Sequence, residues 1–227
     1  MGGAASAALL AGMLAAPATG ASGPSLVWPT PVDVATVSNA ADLSVSVSSV
    51  GGGINLRQPI SVAYVDDTTG SARVVRVSVS TDRGDTFSAP VDFSAPCTAV
   101  TSLATAMYDD TLAAAYTCDD TVVLSTASIN TLNSRADVAV SAASSAANGS
   151  VGAGFAGRPG GGAFSPVVSW VENGASDDTG YLAVSTSGID NTWNRDDSPI
   201  AITTGTNVLS SEMLHPLGFQ GGSSVVA

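Results

Sequence analysis

The chain has 227 residues, which is enough for one domain or two small ones with a sizeable core. It contains seven arginines, no lysine and 19 acidic residues, and its net charge is −12. Because so acidic a chain repels phosphate backbones and anionic lipid, the composition argues against nucleic acid as a partner.

Residues 1–23 resemble a secretory leader. They are rich in Ala and Gly, with an apolar run at 7–16 and a small-residue site at Ala16-Pro17-Ala18, but they lack the basic start of such leaders. A disordered tail is the alternative. We expect an extracellular or secreted protein without a membrane span, because no later apolar run approaches the roughly 20 residues that a span needs.

Three segments of the chain share one pattern. Tyr64, Tyr116 and Trp170 occupy the same place in three strand-like runs and are 52 and 54 residues apart. A period near fifty residues fits four short strands, A to D, and is typical of one blade of a β-propeller. The predicted strands are 43–50, 59–65, 73–80 and 89–93, then 100–107, 111–117, 122–126 and 136–140, then 151–155, 166–171, 181–185 and 199–203.

Both ends of the chain contain parts of the same repeat. Residues 28–38 resemble a D strand, and 214–219 and 223–227 resemble an A strand and the start of a B strand. We predict an all-β fold, a β-propeller of four-stranded antiparallel blades over 28–227. The predicted blades are about 43–94, 100–141 and 150–203, with the start of the next at 207–227. Closed propellers have about 4–8 blades, so we expect a fragment of a longer ring. Its open edges argue against a stable monomer.

The turn between strands C and D of the first repeat is Ser80-Thr81-Asp82-Arg83-Gly84-Asp85-Thr86-Phe87. Asp82 can accept backbone hydrogen bonds in an Asx-type turn, and Gly84 supplies a positive φ. Ser80 and Thr86 offer hydroxyls to the same backbone, while Phe87 can bury its ring under the hairpin. Decayed copies are expected at 125–132 and 185–193.

This turn resembles the Asp-box, or BNR repeat, of sialidases and related β-propellers. The resemblance implies a structural turn away from the active site, in an extracellular six-bladed propeller. The sialidase superfamily cleaves terminal sialic acid with three arginines, a Tyr/Glu pair and an Asp acid/base. Its Arg-Ile-Pro motif is matched only by Arg57-Gln58-Pro59, on the wrong face, so no catalytic role is carried over and the catalytic residues are unknown. An ordinary polar hairpin loop is the alternative interpretation.

Acidic residues recur at the B–C turns, at the end opposite the Asp-box. They are Asp66, Asp67, Asp119, Asp120, Glu172, Asp177 and Asp178. Neighbouring blades would bring them to a common rim, where carboxylates bind a hard cation or form an acid/base pair. Turn formation is the competing interpretation, because Asp is favoured in loops. Apart from this candidate Ca²⁺ site, no cofactor is predicted.

Other residues point to few chemistries. Tyr64, Tyr116 and Trp170 could stack on sugar, but we expect them in the core between blades. Cys97 and Cys118 are candidates for one disulfide or for two unlinked thiols. We predict a secreted Asp-box propeller scaffold that binds glycan or protein, and the alternative is a fragment of a sialidase-like exo-glycoside hydrolase.

Overall fold

The computed structural model of the chain describes 30–48, 58–67, 70, 72–141, 147–157, 164–172, 178–184, 200–205, 213–214 and 225–226. The predicted leader, Arg57, Asp177 and the box copy at 185–193 lie outside these residues. The backbone of Asp178 is described, but its side chain is not.

The described residues form 14 β-strands and one short 3₁₀ turn at Leu132–Ser134. The first sheet contains β1 (Ala40–Val47), β2 (Ile60–Asp66), β3 (Val74–Ser80) and β4 (Val91–Asp92). The second contains β5 (Leu103–Tyr108), β6 (Thr111–Cys118), β7 (Thr121–Ser128) and β8 (Ala136–Ala139). The third contains β9 (Ala147–Gly157), β10 (Phe164–Glu172), β11 (Asp178–Val184) and β12 (Ile200–Gly205), and β13 (Met213–Leu214) pairs with β14 (Val225–Val226).

Each large sheet is an antiparallel meander of four strands in chain order. All twelve strands predicted for the three repeats are present, with bounds shifted by at most four residues. The prediction of an all-β fold is therefore confirmed. The described part of the chain contains no closed ring of strands.

One predicted strand is absent. Residues 30–38, the described part of the predicted D strand at 28–38, form no strand. A D strand gains its backbone hydrogen bonds from a C strand, and no C strand without a partner occurs among the described residues to supply them.

The second sheet is covered on both faces. Along β6, Leu112, Ala114 and Tyr116 face the core shared with the first sheet. The alternate residues Ala113 and Ala115 face the core shared with the third sheet. Because side chains alternate between the faces of a strand, this Ala-rich strand contributes to both cores, and its small side chains let the neighbouring layers approach closely.

The first strands of successive sheets lie side by side. Ser44 Oγ lies 2.9 Å from Thr105 Oγ1, and the Ser48 hydroxyl donates a 2.8 Å hydrogen bond to the Asp109 carbonyl. Both contacts advance in the same direction along the chain, so β1 and β5 run parallel. The C–D turns of the first two sheets therefore lie at one end, and their B–C turns lie at the other, as predicted.

The first two sheets are also joined covalently. Cys97 and Cys118 form a disulfide bond between the segment that follows β4 and the end of β6. The same segment pairs with the start of β3, because the Arg73 amide donates to the Cys97 carbonyl at 2.7 Å and the Cys97 amide donates to the Arg73 carbonyl at 2.9 Å. Of the two alternatives left open by the sequence, the structure contains the disulfide.

Candidate functional site

The Asp82 carboxylate organises the turn between β3 and β4. Its Oδ1 accepts hydrogen bonds from the Ser80 hydroxyl at 2.7 Å and from the Thr86 amide at 2.9 Å. Its Oδ2 accepts the Thr86 hydroxyl at 2.6 Å. Three donors favour the charged carboxylate, and the Thr86 hydroxyl and amide are the main reason why the pKa of Asp82 falls to about 2.

The backbone of this turn follows from the same residues. Ser80 Oγ accepts hydrogen bonds from the amides of Gly84 at 2.7 Å and Asp82 at 3.3 Å. Arg83 and Gly84 have φ values of 69° and 92°. A residue with a Cβ is strained at the second value, although a Cβ at Gly84 would meet Ile60 Cδ1 at an ordinary 3.6 Å, so glycine is required for conformation rather than for room. The turn roles predicted for Ser80, Asp82 and Gly84 match this geometry, whereas the Thr86 hydroxyl bonds the Asp82 carboxylate rather than the backbone.

The copy of this turn in the second sheet begins at a different residue from the one predicted. Ser125, predicted as the counterpart of Ser80, lies inside β7 and is fully buried. The residue that acts as Ser80 does is Ser128, whose Oγ accepts the Asn130 amide at 3.3 Å, as Ser80 Oγ accepts the Asp82 amide. The turn is shorter than the first one, and Leu132 follows Ser128 by four residues where Phe87 follows Ser80 by seven.

Ser125 has a structural role instead. Its hydroxyl donates to Asp137 Oδ1 at 2.7 Å and lies 3.0 Å from the Tyr116 hydroxyl. Burial raises the pKa of Tyr116 to about 12. The phenol therefore stays neutral and serves as a hydrogen-bonding core residue of the second sheet.

A groove separates the two turns, with a volume of about 460 Å³. We call it the inter-turn groove. Its polar lining consists of Thr81, Thr86, Ser88, Asn130, Thr131 and Asn133. Its apolar lining consists of Val79, Phe87, Val91, Ile129 and Leu132. All of these residues are uncharged, and the ring of Phe87 is half-buried, so the groove offers hydroxyls, amides and one aromatic ring.

The carboxylates at the opposite end are largely engaged. Asp66 Oδ2 lies 3.1 Å from Arg76 Nη1, and Asp67 Oδ2 lies 3.3 Å from Arg73 Nε. Asp119 Oδ1 accepts the Ala99 amide at 2.8 Å. Asp66 and Asp67 thus form ion pairs, which neither interpretation predicted, whereas Asp119, with a φ of 49°, lies in the turn between β6 and β7, as the competing interpretation of turn formation expects.

The remaining predicted rim residues are placed differently. Asp120 lies in the turn between β6 and β7 with a φ of 66°. Glu172 ends β10, and its Oε1 accepts a 2.9 Å hydrogen bond from Trp170 Nε1. No group of three His, Cys, Asp or Glu residues that could hold a metal ion occurs in the described part of the chain. Calcium binding at this rim stays a prediction.

The three repeated aromatic residues are buried. Tyr116 lies in the core between the first and second sheets, and Trp170 lies in the core between the second and third. Trp170 also stacks on Tyr181, with ring centroids 5.4 Å apart. Tyr64 is buried on the face of the first sheet that points away from the second. The expectation of a core role is confirmed for Tyr116 and Trp170.

Sequence reasoning missed the groove itself. Asn130 lies within the copy predicted at 125–132, but nothing in one sequence indicates that its turn faces the turn between β3 and β4 across a cleft. Among the residues described, no helix is long and apolar enough to cross a membrane.

Comparisons with protein-family models, curated proteins and solved structures found no match to this chain.

Proposed function

We propose that this chain is an arc of an Asp-box β-propeller that acts outside the cell as a non-catalytic scaffold and binds neutral carbohydrate in the inter-turn groove. The observation that carries the binding proposal is an uncharged groove of mixed polar and apolar lining between the turns of two packed sheets.

The repeated packing supports a propeller arc. Three consecutive four-stranded meanders follow one another along the chain. Their first strands are neighbours, through Ser44 with Thr105 and through the Val151 amide, which donates to Ser102 Oγ at 3.1 Å. Radial repetition of such sheets around their first strands is the propeller architecture.

The chemistry of the groove supports a neutral sugar as the ligand. A sugar ring has an apolar C–H face that packs on an aromatic ring, and hydroxyls that exchange hydrogen bonds with Thr, Ser and Asn side chains. The volume of about 460 Å³ is within the range of about 300–1,000 Å³ typical of small-molecule sites. The net charge of −12 disfavours acidic sugars.

The disulfide supports an extracellular location, because such bonds persist in oxidising compartments.

Binding is preferred to hydrolysis because Asp66, Asp67 and Asp119 are engaged by two arginines and a backbone amide. A glycosidase needs two carboxyl groups facing the scissile bond. The alternative, a sialidase-like hydrolase, is therefore treated as one possible outcome of the experiment below.

The test is titration of the full chain with a panel of neutral mono- and oligosaccharides and with sialosides, followed by calorimetry. We expect binding to at least one neutral sugar. Phe87→Ala and Asn130→Ala should each weaken that binding about tenfold, by the loss of roughly 1.4 kcal/mol of stacking or hydrogen bonding.

Asn39→Ala is the matched control, because Asn39 is an exposed asparagine at the start of β1, the end of the first sheet away from the groove. Equal affinity of all three variants would place the sugar elsewhere. Failure of every neutral sugar to bind refutes the proposed ligand, and release of sialic acid from a fluorogenic sialoside by the full chain refutes a non-catalytic role.

A further inference from the structure

Thr86 lines the inter-turn groove, and its hydroxyl has a fixed hydrogen-bonding role. The residue is exposed, and its Oγ1 donates to Asp82 Oδ2 at 2.6 Å. An ionised carboxylate only accepts hydrogen bonds, and a hydroxyl has one proton, so the Thr86 proton is committed to Asp82. The Thr86 oxygen therefore offers a ligand in the groove its lone pairs and no proton.

The turn between β3 and β4 keeps the carboxylate in its charged, accepting form. Besides the Thr86 hydroxyl, Asp82 accepts the Thr86 amide at 2.9 Å and the Ser80 hydroxyl at 2.7 Å, both at Oδ1. These donors stabilise the ionised carboxylate at neutral pH. A hydroxyl that donates one hydrogen bond is polarised by it and becomes a stronger acceptor for a second partner. The turn therefore makes Thr86 Oγ1 a good acceptor as well as a poor donor.

The neighbouring polar residues of the groove carry no such restriction. Ser88 Oγ accepts the Val79 amide at 3.1 Å, so its own proton is not used in that bond. The Asn130 side chain, on the opposite wall, is an amide that both donates and accepts. Within the described part of the chain, the exposed Thr81 hydroxyl has no bond to a carboxylate. Thr86 is therefore the position at which this groove distinguishes a donor from an acceptor on the ligand.

We propose that Thr86 is a specificity-determining residue of the inter-turn groove and selects a ligand hydroxyl that donates a hydrogen bond. The inference rests on the proposed binding of neutral carbohydrate in this groove and names the feature of the sugar that is recognised. A free sugar hydroxyl supplies the proton that Thr86 lacks, whereas a fluorine, an ether or an ester on the same carbon has none to give. Two acceptors placed against each other both stay unpaired, which costs affinity. The ligand class is a neutral sugar with an unsubstituted hydroxyl at this position.

Fluorine scanning of the sugar tests this inference. The probes are the neutral monosaccharide that binds the full chain most tightly and its analogues in which fluorine replaces one hydroxyl at a time. In calorimetry with the wild-type chain, fluorine at one position should weaken binding about tenfold. In Thr86→Val the parent sugar should bind about tenfold more weakly, and fluorine at that position should cause no further loss.

Two variants control for the change at Thr86. Thr86→Ser keeps the hydroxyl and should restore the wild-type response to fluorine. Thr81→Val makes the same substitution in the same groove at a hydroxyl without a carboxylate partner among the described residues, and it should keep the tenfold loss.

Asp82→Asn should reverse the preference, and it keeps the test decisive where Thr86→Val binds too weakly to measure. The place of Oδ1 must still accept two donors, so the amide oxygen takes it and the amide nitrogen faces Thr86 Oγ1. The nitrogen then donates to Thr86, whose proton is released to the groove. This variant should bind the fluorinated sugar at least as tightly as the parent sugar, at a temperature where its circular dichroism matches that of the wild type.

Three results overturn the inference. They are an equal loss on fluorination in the wild type and in Thr86→Val, a sugar that responds to fluorine at no position, and a wild-type preference that persists in Asp82→Asn. In each of them the parent sugar still binds, so the proposed function stands without the inference. A chain that binds no neutral sugar refutes both.

Discussion

Removal of the Cys97–Cys118 bond should destabilise the chain without unfolding it. The double variant Cys97→Ser with Cys118→Ser frees the connection between the first and second sheets, whose bonded cysteines are 21 residues apart. Closing a loop of this length lowers the entropy of the unfolded chain by an amount worth about 3 kcal/mol at 25 °C. In a chain of this size, that loss should lower the melting temperature by roughly 6–12 °C.

The folded state should survive because other contacts hold the same connection. The Arg73–Cys97 backbone hydrogen bonds and the bond from the Ala99 amide to Asp119 do not involve sulfur. Thermal unfolding followed by circular dichroism measures the shift, and reduced wild-type chain is the control. We expect reduced wild type and the double variant to melt together.

The reasoning fails if the double variant melts at the wild-type temperature. It also fails if reductant leaves the wild-type transition unmoved after thiol titration has found both cysteines free. A shift that appears in the variant but not in the reduced wild type would mean that the serines, rather than the lost bond, cause the destabilisation.

Two further substitutions test the turn and the core. Asp82→Asn should lower the melting temperature at neutral pH. The pKa of Asp82 is about 2 in the folded chain, against an ordinary 3.8, so the stabilisation is complete above about pH 4 and is lost as the pH falls through about 2. Melting curves from pH 6 to 2 should show this dependence in the wild type but not in the variant, and identical slopes would contradict it. Trp170→Ala removes a ring that is 1% exposed and should cost about 3–5 kcal/mol in urea unfolding. Val32→Ala, at an exposed site, should cost less than about 0.5 kcal/mol, and a similar loss in both variants would refute the core role of Trp170.

The strands could be predicted because each repeat carries an aromatic residue at a fixed place in its second strand. Tyr64, Tyr116 and Trp170 set the period, and alternation of small and β-branched residues around them set the strand bounds. The strand order also predicted at which end of the sheets the C–D turns and the B–C turns lie. The turn between β3 and β4 was equally predictable, because the hydrogen bonds that define it lie within eight residues of sequence.

The copy of this turn predicted at 125–132 was misplaced because a shortened turn cannot be aligned by residue type alone. Ser125 and Ser128 are both serines, and only strand pairing shows that the first lies inside β7 opposite Ala114, while the second ends this strand. Strand pairing also determines which partners the acidic residues at the B–C turns have. Arg76 lies on β3, opposite Tyr64 of β2, and from there its guanidinium reaches Asp66, a contact that depends on register.

The inter-turn groove was beyond prediction for a different reason. Its two walls belong to turns about 45 residues apart that meet only because the second sheet packs on the first. Sequence patterns give the content of each wall, but not the distance between them.

The doubly covered second sheet has a consequence for how the chain comes apart. Repeat arrays whose units touch only their neighbours often lose those units one at a time. Here β6 contributes side chains to two cores, so opening this strand exposes both of them at once. The free energy of local opening should therefore be highest in the middle of the array and lower in the sheets on either side of it. The cooperativity of this chain should therefore depend on β6, whose side chains enter both cores.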